Sequence, residues 1–168
     1  NWQPCQPMGG WVAKNVSKEV FQIAPNYQAG KDMMAAFRES FLAGGGKVVG
    51  EDYPKFGETD YAPYLTKIKQ SGAKAVFAFF SGSDAVNFVK QYDQFGLKQS
   101  IKLTGAGFLT EPDVLPAQGS SALGTITGHF YTPLLDNPTN QRFVKEFREK
   151  FGGKMPDGFA CQGYDTAE

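Results

Sequence analysis

Histidine and cysteine are scarce in this sequence. Its 168 residues include one histidine, His129, and two cysteines, Cys5 and Cys161, near opposite ends of the chain. Metal centres of the zinc type need several Cys or His ligands at short spacing, so the sequence predicts no metal site. Histidine-based acid–base catalysis would rest on His129 alone. Its neighbours Gly128 and Phe130 favour a strand residue with a hydrogen-bonded ring over a catalyst.

An excess of charge is also absent. Lys and Arg together number 17, as do Asp and Glu, so the formal net charge is zero. The chain lacks the basic patch that binds nucleic acid and the Lys- and Arg-rich amphipathic helix that binds a membrane surface. Its longest apolar run is too short to span a bilayer. These absences predict a globular domain without a nucleic-acid partner.

Motifs for nucleotide binding and nucleophilic catalysis are missing or incomplete. Gly105-Ala106-Gly107 matches a dinucleotide fingerprint only in part, because no third glycine follows at the required spacing. No phosphate-binding Walker motif occurs, and Phe80-Ser81-Gly82-Ser83 lacks the first glycine of a nucleophile elbow. The sequence therefore predicts no cofactor and no enzymatic activity. A hydrolase or a dehydrogenase is the alternative from the enzyme class.

The strongest feature present is an unbroken apolar run, 75–80, that ends in Ser81-Gly82-Ser83-Asp84. Such a run is typical of a strand that is covered on both faces of a parallel sheet. The turn opens a helix, which Ser83 or Asp84 is expected to cap. Strand and helix patterns alternate about five times along the chain. They predict one α/β domain, a doubly wound, mostly parallel sheet of about five strands with helices on both faces.

The predicted elements follow from hydrophobic periodicity and turn residues. Residues 1–10 are rich in Pro and Gly and predict an irregular lead-in. Asp60 is expected to cap a helix, and a short helix is expected near 112–115. Strands are predicted at 19–24, 47–53, 75–80, 101–104 and 123–131. We expect the chain to be a mature fragment or an excised domain, since it has no starting Met and ends within a predicted helix.

Aromatic and small polar residues follow the predicted strands. In parallel sheets ligands bind at the carboxyl ends of the strands, so these residues predict a small-molecule-binding face. The competing interpretation assigns the phenylalanines to the core and the hydroxyls to helix caps, and we accept it for Phe77. The candidate ligand-binding residues are Asn26, Tyr27, Phe80, Ser81, Gly82, Gly107 and Phe108.

Segments spread over nearly the whole chain together resemble one family. They are 19–31 (EVFQIAPNYQAGK), 46–61 (GKVVGEDYPKFGETDY), 73–96, the Asp-Asn-Pro at 136–138 with Asn140 and Phe143, and 163–167 (GYDTA). The family is that of the periplasmic solute-binding proteins of ABC importers, of the leucine/isoleucine/valine-binding type. The resemblance implies the type I periplasmic binding fold, in which two α/β lobes enclose the ligand. Residues 1–168 would form the second lobe only, with the first lobe absent from this chain.

The resemblance also implies roles, partners and location. Tyr27 matches a cleft tyrosine, and Ser81 and Gly82 fall at a second cleft position. Gly107 falls where amino-acid binders tend to carry an acid that pairs with the ammonium group of the ligand. We therefore expect an aromatic or aliphatic carboxylic acid as ligand, with periplasmic location, ABC permease subunits as partners, and the first lobe supplying the carboxylate clamp. The alternatives are a branched-chain amino acid binder, with Glu111 replacing the missing acid, and a ligand-sensing receptor domain.

The two cysteines allow two interpretations. From the residues alone, an end-to-end disulfide between Cys5 and Cys161 and a pair of unrelated thiols are about equally favoured. The periplasmic location that the resemblance implies favours the disulfide.

Overall fold

Five parallel strands form a single sheet in the computed structural model, which describes residues 2–167. The strands are β1 (Glu19–Ile23), β2 (Lys47–Asp52), β3 (Ala75–Ala78), β4 (Lys102–Ala106) and β5 (Ile126–Gly128). Their order across the sheet is β2-β1-β3-β4-β5, and every neighbouring pair is parallel. The predicted doubly wound α/β fold is confirmed.

Helices connect the strands and cover both faces of the sheet. They are α1 (Trp2–Asn15), α2 (Gln28–Ala43), α3 (Ala62–Gln70), α4 (Gly82–Gln94), α5 (Leu115–Gln118), α6 (Pro138–Lys150) and α7 (Gly158–Ala167). Short 3₁₀ turns occur at Leu97–Gln99, Gly107–Thr110 and Gly119–Ala122. Among residues 2–167, no helix combines the length and apolarity needed to cross a membrane.

The core has two layers because β3 is buried on both faces. On one face, Val76 and Ala78 lie in a cluster with side chains of α3 and α4, including the fully buried Leu65 and Phe88. On the other face, Ala75 and Phe77 lie with α1 and α2. The ring of Phe77 stacks on Phe37 of α2 with a centroid separation of 3.9 Å. The unbroken apolar run of the sequence thus reflects a strand that is packed on both sides.

Several predicted boundaries are wrong. The expected irregular lead-in is helix α1, which buries Pro4, Cys5, Met8 and Val12 against α2 and the sheet. The last strand covers Ile126–Gly128 only, rather than 123–131. The short helix expected near 112–115 begins at Leu115.

Two of the predicted helix caps are also corrected. Neither Ser83 nor Asp84 caps α4: the N-cap residue is Ser81, and the Asp84 carboxylate accepts a hydrogen bond from the Gly57 amide at 3.0 Å instead. For α3 the N-cap position is Tyr61, although Asp60 Oδ1 accepts a hydrogen bond from the Ala62 amide at 3.0 Å.

The expected disulfide is not present, and both cysteines are free thiols. Cys5 is fully buried between α1 and α2, where its Sγ donates to Met33 Sδ at 3.0 Å. Cys161 lies on α7, where its thiol donates to the Asp165 carboxylate at 3.8 Å. The two thiols therefore pack against different partners rather than against each other.

Candidate functional site

The carboxyl ends of the strands bring several predicted site residues to one edge of the sheet. Asn26 and Tyr27 follow β1, residues 79–82 follow β3, Gly107 and Phe108 follow β4, and His129 follows β5. All strands are parallel, so these loops lie side by side on the edge where α/β proteins bind their ligands.

A continuous row of aromatic rings crosses this edge, and we call it the aromatic arc. Its members are Phe56, Tyr27, Phe79, Phe108, Phe130 and Phe159. Tyr27 contacts Phe56 with a centroid separation of 5.7 Å and Phe79 with one of 6.2 Å. Phe108 continues the row with separations of 5.8 Å to Phe79, 6.4 Å to Phe130 and 5.8 Å to Phe159. These spacings are those of interacting rings, and they define an apolar surface at the strand ends.

Tyr27 is accessible and polar at its tip. It is 37% exposed, and it is the N-cap residue of α2, without a side-chain cap hydrogen bond. Burial raises the pKa of the Tyr27 hydroxyl, and the nearby Asp84 carboxylate adds to the shift. The phenol is therefore a neutral hydrogen-bond donor over the physiological pH range. Asn26, Ser81 and Gly82 are exposed beside it.

Phe80 does not lie on this surface. Its side chain is 1% exposed and packs against Tyr61 and Phe88, with centroid separations of 5.3 Å and 4.6 Å. Phe79 takes its place in the aromatic arc, because successive side chains of an extended segment point to opposite faces. The expectation that the Phe80 ring would line the ligand surface is corrected accordingly.

Gly107 does not leave open space for a ligand as expected. A Cβ atom at Gly107 would lie 2.2 Å from Cγ of His129, so the imidazole occupies the volume that a side chain would fill. The ring of His129 also contacts Phe108, with a centroid separation of 4.9 Å. Gly107 is therefore a position of close approach that allows the imidazole to pack against the end of β4.

A buried carboxylate–imidazole pair is the part of the site that sequence reasoning missed. The side chain of Glu111 is 4% exposed, and its Oε1 contacts His129 Nε2. The sequence suggested Glu111 only as the acid of an alternative amino-acid site and did not pair it with His129. No local pattern distinguishes it, because its partner directly follows β5, 18 positions later in the chain. The related signal in the sequence is a glycine at positions 107 and 158. Its meaning depends on the fold, in which both glycines lie against the His129 imidazole.

A cavity of about 500 Å³ adjoins this pair. Its lining combines a few polar groups with apolar walls, the composition of a small-molecule site. Residues that line it include Thr110, Glu111, Leu115, Thr127, His129 and Met155. Tyr131 also lines it, and burial raises the pKa of its hydroxyl to about 12, so that group is neutral. Within residues 2–167, no group of three or more His, Cys, Asp or Glu side chains is placed to hold a metal ion.

Comparison with known sequences matches the whole chain to one family. The family model described as "Periplasmic binding protein" matches residues 1–168. A relative from Brucella melitensis, called Leu/Ile/Val-binding protein homolog 6, is 36% identical over 167 residues. That alignment covers 98% of this chain but 43% of the relative, so the chain spans less than half the length of the curated relative it matches.

Solved structures agree on the fold. An ABC transporter substrate-binding protein from Sphaerobacter thermophilus has a TM-score of 0.95 and 36% identity, covering 99% of this chain and 46% of that protein. A solute-binding protein of an ABC transporter from R. palustris, solved in complex with benzoate, has a TM-score of 0.88 and 35% identity, covering 98% of this chain and 44% of that protein. The family model covers the whole chain and these structures share its fold, so the chain belongs to the periplasmic binding protein family.

Proposed function

We propose that this chain is the second lobe of an extracytoplasmic solute-binding protein of an ABC importer, and that its ligand is a small aromatic carboxylic acid. The observation that carries the proposal is the aromatic arc. Apart from the buried Phe79, its rings are partly exposed, and they lie along the edge of the sheet where α/β proteins bind their ligands.

The chemistry of the arc favours an apolar ligand body. Tyr27 and Phe108 offer ring surfaces, and Tyr27, Ser81 and Asn26 offer neutral hydrogen-bonding groups. An aromatic ligand that stacks on two such rings gains about 0.5–1.5 kcal/mol per ring pair beyond the burial of its surface. The benzoate bound by the R. palustris protein supports this ligand class, because that protein shares the fold and 35% identity with this chain.

The carboxylate of the ligand would be held by the first lobe. The part of the arc formed by Tyr27, Phe79 and Phe108 carries no basic side chain, so an anion there would lack a charged partner. Closure of the two lobes around the ligand would present the complex to permease subunits in the membrane. The protein would act by binding alone, without chemical change to the solute.

A branched-chain amino acid is the second candidate ligand. The name of the Brucella relative supports it, and so does the Glu111 carboxylate, which lies near Gly107 and could pair with an ammonium group. A role in ligand sensing rather than transport is a third candidate. Solute uptake that depends on a permease and an ATPase encoded beside the gene would support transport over sensing.

A thermal-shift panel on the full-length protein separates the two ligand classes. We expect benzoate to raise the melting temperature by several degrees and leucine, isoleucine and valine to raise it little, because a ligand at 100 times its Kd adds about 2.7 kcal/mol. The variant Phe108→Ala should lose most of the benzoate shift. The control Phe151→Ala removes an exposed ring outside the arc, at the end of α6, and should keep it. A panel in which a branched-chain amino acid gives the largest shift would refute the proposal.

A further inference from the structure

The cavity of about 500 Å³ beside the aromatic arc has two acidic side chains in its lining, Glu111 and Asp157. Among residues 2–167, no Lys or Arg lines this cavity, and none forms an ion pair with either carboxylate. We infer that these two carboxylates reject ligands whose ring carries a second anionic group into the cavity, and that the site therefore selects aromatic acids with a single carboxylate. Glu111 and Asp157 are then specificity-determining residues. This inference rests on the proposed function.

The cavity lies where a substituent of a bound aromatic acid can reach it. The His129 imidazole belongs to both parts of the site, because it lines the cavity and contacts Phe108 of the aromatic arc with a centroid separation of 4.9 Å. Leu115 and Met155 supply apolar walls in the cavity. A ligand ring that rests on Phe108 can therefore direct a substituent into a volume that suits a small molecule.

The contact between Glu111 and His129 leaves a negative charge in the cavity. The Glu111 side chain is 4% exposed, and its Oε1 contacts His129 Nε2. Nδ1 of His129 is buried and has no hydrogen-bond partner within residues 2–167. A proton on Nδ1 would be an unsatisfied buried donor, so the imidazole is neutral and donates the proton on Nε2 to Glu111. The pair as a whole is therefore anionic.

Asp157 adds a second negative charge close to this pair. It precedes Gly158, where a Cβ atom would lie 2.8 Å from His129 Nε2 and 3.1 Å from Glu111 Oε1. Its Oδ1 accepts a hydrogen bond from the Ala160 amide at 2.7 Å, in the first turn of α7. A carboxylate of the protein thus already lies at the positive end of this helix, which would otherwise attract an anion.

The other polar side chains of the cavity are neutral hydroxyls. Those of Thr110 and Thr127 bond each other at 2.8 Å, and the Tyr131 hydroxyl donates to Asn140 Oδ1 at 3.0 Å. Burial raises the pKa of the Tyr131 hydroxyl to about 12, and the nearby Asp157 carboxylate adds to the shift. A second carboxylate of the ligand would lose its hydration there and face two like charges, without a Lys or Arg of the described residues to pair with.

The test is calorimetric titration of the full-length protein with ligand pairs that differ in charge but hardly in shape. The pairs are 4-carbamoylbenzoate with terephthalate and 3-carbamoylbenzoate with isophthalate, in which a neutral amide replaces the second carboxylate. Benzoate and leucine complete the series. We expect at least one carbamoyl acid to bind about 100 times more tightly than its dicarboxylate partner, because like charges that meet in a desolvated site repel strongly.

Variants then assign the discrimination to the two carboxylates. Glu111→Gln keeps an acceptor for His129 Nε2, and Asp157→Asn keeps a side chain that caps helices well. Each variant should reduce the carbamoyl-over-dicarboxylate affinity ratio about tenfold, because one of the two like charges is gone. The control Asp113→Asn removes an exposed carboxylate outside the cavity lining and should keep the wild-type ratio. If one of the two variants does not fold, the other still decides the question.

The outcomes separate this inference from the proposed function. Equal affinity within both ligand pairs, with benzoate still bound, would overturn the inference and leave the proposed function standing. A ratio that Glu111→Gln and Asp157→Asn leave unchanged would also overturn it. Tight binding of leucine with no binding of any benzoate derivative would refute the proposed function, and the inference with it.

Discussion

Cys5 shows how burial changes the chemistry of one residue. Its side chain is fully buried between α1 and α2, and this burial raises the pKa of the thiol from the ordinary value of 9.0 to about 12. The pKa is higher in the folded state than in the unfolded chain. The contribution of the neutral Cys5 thiol to the free energy of unfolding is therefore complete below pH 9. This contribution is lost as the pH rises from about 9 toward 12, where the unfolded chain releases the proton and the folded chain keeps it.

The expected result is a steeper alkaline loss of stability in the wild-type chain than in Cys5→Ala. Between pH 9.5 and 11 the free energy of unfolding of the wild type should fall by about 1.4 kcal/mol per pH unit more than that of the variant, the slope for one proton. Urea unfolding at a series of pH values measures both slopes. Parallel slopes would mean that Cys5 does not titrate differently in the two states.

At the same scale, the sequence predicted which segments form the site better than which side chains line it. Asn26, Tyr27, Ser81 and Phe108 lie at the predicted edge because strand ends can be read from apolar runs. The sequence could not show which of Phe79 and Phe80 lines the site. Successive side chains point to opposite faces of a strand, so a shift of one residue in the strand end exchanges their positions. Glu111 was missed because its contact with His129 joins distant parts of the chain.

The sequence did not predict the packing of helix α1 on helix α2. Pro and Gly made residues 1–10 resemble a loop, yet both glycines, Gly9 and Gly10, lie within α1 and play different parts. A Cβ atom at Gly9 would lie 2.2 Å from the Phe37 carbonyl oxygen of α2, whereas one at Gly10 would meet nothing within 4 Å. Gly9 therefore sets the close approach of the two helices, and Gly10 is a helix position that an alanine would suit.

Neighbouring substitutions in α1 test this packing. Gly9→Ala should lower the free energy of unfolding by about 1–3 kcal/mol, as expected for overpacking at a rigid backbone contact. Gly10→Ala should raise it by about 0.5–1 kcal/mol, because alanine favours the helix. Urea denaturation of both variants provides the comparison. Equal effects of the two changes would show that α1 does not pack on α2 as described.

For the whole molecule, alternation of strand and helix patterns was enough to predict the doubly wound sheet. The central strand β3 is an apolar run that ends at turn residues, and the helices α2, α3 and α4 repeat apolar residues at helical spacing. The sequence was less informative for residues 123–137, where β5 is short and the chain leaves the sheet without a strong period. The periodic pattern is weak there because side-chain hydrogen bonds hold the segment, such as the one that the Asn140 side chain donates to the Leu135 carbonyl at 2.8 Å.

Under the proposed function, this chain is half of a clamp. The proposed ligand surface is an edge of aromatic rings. Phe56 and Phe159 are 72% and 61% exposed there, and the proposed first lobe would cover them when a ligand is bound. Exposed aromatic rings at one edge are typical of a surface that binds a partner or a ligand. The central claim is therefore that an aromatic acid rests on this edge.

The most direct measurement is a crystal structure of the full-length protein grown with the benzoate derivative that gives the largest thermal shift. The account predicts that the ligand ring lies within about 4 Å of the Phe108 and Tyr27 rings. The carboxylate should face the first lobe, away from the arc. A ligand bound elsewhere, with Tyr27 and Phe108 free of contact, would contradict the account.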